Sequence, residues 1–380
     1  MKIRRSSVLC LSVLLIALCL IGCGKQASPL SATYSVIRDP DFGAAHLNVS
    51  IEEFLDAGFH LGDSLDISFS NGNTLEDIPF YNGYYVKTTM PVVVAYPGYS
   101  HIAVAFNNGD PMWEKMELSP EDSAVVTLRE AGKYRTVQET FATAYTDERK
   151  DYGEDFVFGN FRSLRGGSMK ENTFYRGASP IDNQHNRAET VDHLIREAGI
   201  RYILDLSDSR EKVDEMLVKD PGLENYLFTE LMNSDRVGLL NLTSAYRSDR
   251  YHTALASGLR EMMQHEGPCF IHCVEGKDRT GFVCILLESL CGASYAELEE
   301  DYMITYDNYY GITEEKTPEQ YRAFVELRLN DLLGYLAGTD NADELENADF
   351  RPGARAYLIN GGMTDGEIDD LVRFLSGDAA

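Results

Sequence analysis

The stretch PCFIHCVEGKDRTGFVCILLESLCG, Pro268 to Gly292, leaves this chain few ways to fold. A short apolar run ends at His272-Cys273, a polar loop with a glycine at 276 follows, and from Arg279 the chain turns apolar for the length of a helix. In an open α/β sheet, ligands gather beyond the carboxyl ends of the strands, where a helix N-terminus offers unpaired N–H groups to an anion. Strand, loop and helix in this order therefore predict an anion-binding turn at the edge of a sheet. The amides of Val274, Glu275, Gly276 and Lys277, with Gly281 just beyond, are expected to curl around a phosphate. A thiol at Cys273, centred in that ring, feels the amides, the helix dipole and Arg279. Such surroundings bring cysteine pKa values from ~8.5 down to ~3.5–7.5, so a thiolate nucleophile is expected. The planar fork of Arg279 suits two phosphate oxygens. A nucleotide-binding P-loop is excluded, because Asp278 and not Ser or Thr follows Gly276-Lys277 and no glycine stands at Ile271.

The surrounding pattern agrees with an α/β domain from about 150 to 380. ETVDHLIREAG carries a helical stripe at Val191, Leu194, Ile195 and Ala198 and stops at Gly199; IRYILDL reads as a buried strand. Ser294–Glu297, Thr317–Gln320 and Thr364–Glu367 read as helix-starting capping boxes. Strands alternating with helices imply a mainly parallel central sheet flanked by helices. From 33 to 145 the chain reads differently. SLDISFSNG alternates and ends in Asn71-Gly72, and PVVVAYPGYSHIAVAFNNG gives two strand-like runs around Pro97-Gly98, which predicts a smaller all-β module, a sandwich or barrel. Trp113 and the many tyrosines of this module suit core packing or a ligand surface.

The first 22 residues read as an export leader. Lys2, Arg4 and Arg5 precede an apolar run shorter than a comfortable membrane span, and the run ends in LIGC. Residues 23 to 32 read as a linker. Residues Leu20 to Cys23 resemble a bacterial lipobox, which implies cleavage before Cys23, a lipid on its sulfur, and an extracytoplasmic, membrane-attached protein. The net charge of -27 repels nucleic acid over most of the surface, so a phosphorylated ligand needs a local basic pocket. Cys269, Cys273, Cys284 and Cys291 cluster within a short segment and are expected to be free thiols; no spacing suggests zinc.

HCVEGKDRTG, His272 to Gly281, resembles the signature loop of cysteine-based protein tyrosine phosphatases, in the form found in secreted or surface-attached bacterial tyrosine and dual-specificity enzymes. FYRGASP (Phe174 to Pro180) is similar to the family's first core strand and LDLSDSRE (Leu204 to Glu211) to its Asp-Leu-Arg-Ser loop. The resemblance implies Cys273 as nucleophile through a phosphocysteine, Arg279 as phosphate clamp, Thr280 as a hydrogen-bond partner of the sulfur, and His272 as a residue that holds the loop. It implies no metal and no cofactor. His272 equally suits a bond to a buried carbonyl, Lys277 either extra charge for the substrate or a solvent-facing side chain, and Arg176 either a brace or a structural ion pair.

A leaving oxygen needs a proton. Asp205, at the end of the preceding strand, is the first choice by resemblance; Asp278 and then Asp208 are the alternatives. Ser207 stands where the family has arginine, which leaves Arg210 as a possible replacement. The expected activity is hydrolysis of phosphotyrosine in proteins. Phosphoinositides or inositol polyphosphates are the alternative substrates, and a surface-binding lipoprotein with a vestigial phosphatase domain is the alternative of another class.

Overall fold

A computed structural model describes residues 29–40 and 42–377. The leader and Cys23 lie outside the described residues. Among the described residues, no helix is long and apolar enough to cross a membrane.

The N-terminal module is a closed seven-stranded barrel. Its strands are β1 (Ser31–Arg38), β2 (Ala45–Leu47), β3 (Ser64–Phe69), β4 (Thr74–Tyr81), β5 (Pro91–Val94), β6 (Ile102–Phe106) and β7 (Ser123–Glu130), in the order β1-β2-β6-β5-β4-β3-β7. The strand period shows directly: Leu65, Ile67 and Phe69 are all buried in its core while Asp66 and Ser68 are not. Trp113 is buried in the same core, so it packs the barrel and does not line a surface. Two expectations shift. β1 begins at Ser31, inside the segment read as linker, because Ser31 and Ala32 pair with Thr127 and Val126 to close the barrel. The module also holds short helices at Ile51–Asp56, Met112–Lys115 and Arg135–Phe141, the first started by a Ser50–Glu53 capping box.

The second unit is a five-stranded sheet. Its strands are β8 (Arg162–Ser163), β9 (Phe174–Gly177), β10 (Tyr202–Asp205), β11 (Val237–Leu239) and β12 (Cys269–His272), ordered β11-β10-β12-β9-β8. Four strands run parallel, and the two-residue edge strand β8 is antiparallel to β9. Both faces are covered. Tyr202, Leu204, Cys269 and Ile271 point into one core with the helices Asp249–Met262 and Asp278–Leu290. Ile203 and Phe270 point into the other with the helices Ala188–Glu197 and Leu227–Met232. This is why β12 reads as a continuous apolar run and not as an alternating one.

The helix Asp278–Leu290 is buried on nearly all sides, between the sheet and the helices Tyr295–Tyr310 and Arg351–Asn360. Ser294–Glu297 and Thr364–Glu367 form the expected capping boxes. Thr317 does not: its hydroxyl donates to the carbonyl of Thr313 at 3.2 Å, and Pro318 occupies the first helical turn instead. The helix that follows, Pro318–Phe324, runs into a π-turn at Val325–Leu329 before resuming at Asn330–Ala337.

Candidate active site

Strand β12 ends at His272, the loop runs from Cys273 to Lys277, and the helix starts at Asp278. The backbone can turn this tightly because Gly276 sits at φ 65, the left-handed region glycine tolerates. It must also be glycine because a Cβ there would lie 2.2 Å from the carbonyl oxygen of Gly177.

The loop is held by its carbonyls. The Val274 oxygen accepts from Ser179 N at 3.0 Å. The Glu275 oxygen accepts from Tyr309 Oη at 2.6 Å. The Gly276 oxygen accepts from Arg176 Nη2 at 2.9 Å and Asn160 Nδ2 at 3.2 Å. No acceptor among the described residues takes the N–H groups of Val274, Glu275, Gly276 or Lys277. Carbonyls tied back to the scaffold and amides left open are the arrangement of an anion nest.

Around this ring the predicted residues fall into distinct places. Cys273 is 3% exposed, and it stands close enough to Arg279 to couple electrostatically with that guanidinium. Arg279 Nη1 donates to the Leu242 carbonyl at 3.0 Å. Thr280 is fully buried, and its hydroxyl oxygen has no partner among the described residues. His272 Nδ1 donates to the Cys273 carbonyl at 3.3 Å, so the proton sits on Nδ1; burial drives its pKa down to about 4 and the ring is neutral. Gly281 lies in the first helical turn, where a Cβ would come within 3.1 Å of Tyr302; it is a packing position.

Lys277 resolves neither as a free ammonium nor as a solvent-facing one. Its Nζ lies 3.1 Å from Glu275 Oε2 and donates to Tyr310 Oη at 3.2 Å. Tyr145 donates to the same Glu275 carboxylate from the other side. Lys277 and this hydroxyl hold the Glu275 carboxyl below its ordinary range although burial works to raise it.

The three carboxylates proposed as proton donors also separate. Asp205 is 0% exposed; its Oδ1 accepts from Ser207 N at 2.8 Å, Ser207 Oγ at 2.9 Å and Asp208 N at 3.1 Å, and its Oδ2 lies 3.9 Å from His272 Nε2. Burial pushes its pKa up. Asp208 is also buried, and burial together with Asp205 lifts it to about 7. Asp278 is exposed and lines a cavity with Arg279. Arg210 is spent on an exposed pair with Asp214 and stands outside the site.

Several further residues support the loop. Arg176 is at once brace and ion pair, with Nη1 2.6 Å from Asp301 Oδ2. Asp301 is also held by Arg162 at 2.7 Å, and the two guanidiniums keep it at about 2 although burial works to raise it. Glu288 lies beside them, and burial first and then Asp301 drive its carboxyl well upward. Asn160, Tyr145 and Tyr309 come from three separate segments, and nothing in their sequence neighbourhoods marks them.

The barrel reaches the site. Thr88 bonds Asp331 Oδ2 through Oγ1 at 2.5 Å and through its backbone N at 3.1 Å, and Thr88 Oγ1 lies 2.9 Å from Tyr246 Oη. Val86, Thr88, Asn107 and Asn108 of the barrel therefore close one side of the cavity that Asp278 and Arg279 line on the other.

The turn that holds Cys273 leaves four amides open, Arg279 follows it in the helix, and a mainly parallel sheet lies behind: an α/β domain with an anion-ready loop at its sheet edge. The chain belongs to the tyrosine phosphatase family: the family model matches residues 158–375, over half of the chain. Among curated proteins none matches. Among solved structures, an uncharacterized conserved protein from Thermotoga maritima aligns with a TM-score of 0.22 and 18% identity, over 25% of this chain and 35% of its own.

Proposed function

We propose that the protein is a phosphatase that cleaves phosphomonoesters through a phosphocysteine, with phosphotyrosine in proteins as substrate. The observation that carries this reading is the loop itself: four amides open to an anion, with Cys273 at its start and Arg279 in the first turn of the helix that follows. The Cys273 sulfur attacks phosphorus in line and the phosphorus–oxygen ester bond breaks. Arg279 and the amides hold the three equatorial oxygens. Water then cleaves the sulfur–phosphorus bond, releasing phosphate and restoring the cysteine. The buried, unpartnered hydroxyl of Thr280 supports a bond to sulfur in that second step.

For the proton donor we favour Asp278 over Asp205. Both oxygens of Asp205 face inward, one to Ser207 and Asp208 and the other to His272, whereas Asp278 stands exposed at the mouth. The inositol polyphosphate reading draws no support from Lys277, whose charge is spent on Glu275 and Tyr310.

The test is turnover of phosphotyrosine peptide and inositol phosphates, with Cys273→Ser as blank. Quenched turnover mixtures should carry phosphate on the Cys273 peptide; intact hydrolysis after Cys273→Ser would overturn the mechanism. In a pH–rate profile, Asp278→Asn should lose the basic limb and Asp205→Asn should keep it.

A further inference from the structure

The cavity between barrel and phosphatase domain holds a second arginine. Arg328 lies on the π-turn Val325–Leu329, where the Asn330 N–H bonds back to the Val325 carbonyl five residues away. Such single π-turns inside a helix recur at functional sites. Arg328 lines the same cavity as Arg279 and Asp278. Among the described residues it makes no ion pair and donates no hydrogen bond, although it is only partly exposed.

Its neighbours explain why the charge remains available. Asp331, one turn further on, accepts from Thr88, from Tyr246 at 3.3 Å and from Arg247 at 3.4 Å. Tyr302, Tyr306 and Tyr85 stand near the guanidinium as neutral phenols; burial works against its charge and Asp278 supports it. Arg129, Arg162, Arg196 and Arg260, by contrast, each carry a carboxylate partner. In a chain of net charge -27, an uncommitted guanidinium beside the phosphate loop is a local reversal of sign.

We propose that Arg328 forms a second anion subsite, which takes a carboxylate or phosphate of the substrate adjacent to the phosphate being cleaved. Arg279 receives the scissile group and Arg328 its acidic neighbour. The cavity has a volume of about 40 Å³, space for a small anionic group and little more. The barrel is part of this subsite, because Thr88, Asn107 and Asn108 form its outer wall. This gives the all-β module a role in substrate selection. The inference rests on the phosphatase reading above.

The experiment compares kcat/KM of the full chain on phenyl phosphate, on 3- and 4-carboxyphenyl phosphate, and on 1,3-phenylene bisphosphate. The wild type should prefer the doubly anionic esters about tenfold, the worth of one charge-assisted pair. Arg328→Gln should collapse that ratio toward one, chiefly through KM, and Arg328→Lys should retain part of it. The carboxylate and bisphosphate arms tell which second anion the site takes. No preference in the wild type, a ratio that Arg328→Gln leaves in place, or an equal loss on every ester would each overturn the subsite while leaving the phosphatase reading intact. Failure of the wild type to hydrolyse phenyl phosphate, with Cys273→Ser as blank, would remove both.

Discussion

The guanidinium of Arg176 carries the carbonyl of Gly276 at 2.9 Å from a fully buried position beneath the loop. Its other nitrogen is fixed by Asp301 at 2.6 Å, so the loop's shape is set by a largely buried ion pair.

Arg176→Met should therefore do two kinds of damage. It removes one partner of a buried pair, which costs about 3–5 kcal/mol when the remaining charge stays uncompensated. Arg162 still faces Asp301, so the lower end of that range is expected. It also takes from the Gly276 carbonyl one of its two donors, leaving only Asn160, and kcat should fall. Urea unfolding together with kinetics on phenyl phosphate checks both, and a stability change under about 1 kcal/mol would show the pair to be dispensable.

Gly276→Ala tests the loop without touching a charge. The new Cβ would sit 2.2 Å from the Gly177 oxygen in a left-handed backbone conformation, so the loop must move. Displacing reacting groups by about 1 Å is enough to cost 10²-fold in rate. We expect that order of loss in kcat, with a melting temperature lowered by only a few degrees; wild-type kcat in the alanine protein would mean the loop geometry is not what positions the sulfur.

The Asp205–Asp208 pair makes stability depend on pH. Burial and Asp205 raise Asp208 from 3.8 to about 7 in the folded protein, so between those values the folded state holds a proton that the unfolded state has lost. Stability from this group is fully present below about pH 4, declines as pH rises toward 7, and is gone above it. Asp208→Asn should flatten that decline by an amount on the order of a few kcal/mol. Denaturant titrations of both proteins from pH 4 to 8 provide the comparison, and parallel curves would refute the assignment.

Asp331 latches the two units through Thr88. Asp331→Ala leaves the Thr88 N–H and the Arg247 guanidinium without this acceptor, a loss of about 1–3 kcal/mol. The segment from Thr143 to Asp147, which has no regular structure and joins the units, should then be cut faster in limited proteolysis. Unchanged cleavage would place the holding contacts elsewhere, for instance at Phe141 against Phe324, 4.6 Å apart.

Local chemistry was legible wherever it depends on neighbours in the chain. The strand–loop–helix order at Cys273, the β-alternation at Leu65, Ile67 and Phe69, and the capping boxes at Ser294 and Thr364 are all short-range patterns. Thr317 misled because a capping signature states only what a hydroxyl can reach, and Thr313 was nearer. Asp205 stood out as an acid by its place at a strand end; that its oxygens turn inward depends on Ser207, Asp208 and His272 in space. Lys277 looked uncommitted for the same reason, since Tyr310 lies 33 residues away.

The sequence alone determined that a thiol and an arginine flank an anion-ready turn, because strand, turn and helix arise from interactions within a few residues. Tertiary structure decided which charges are spent and which remain. Arg176, Asn160 and Tyr309 converge on the loop's carbonyls from three other segments, and Thr88 brings the barrel against Asp331. Pairing and burial of charge are properties of separations in space, and only the packed fold brings these groups within reach of one another.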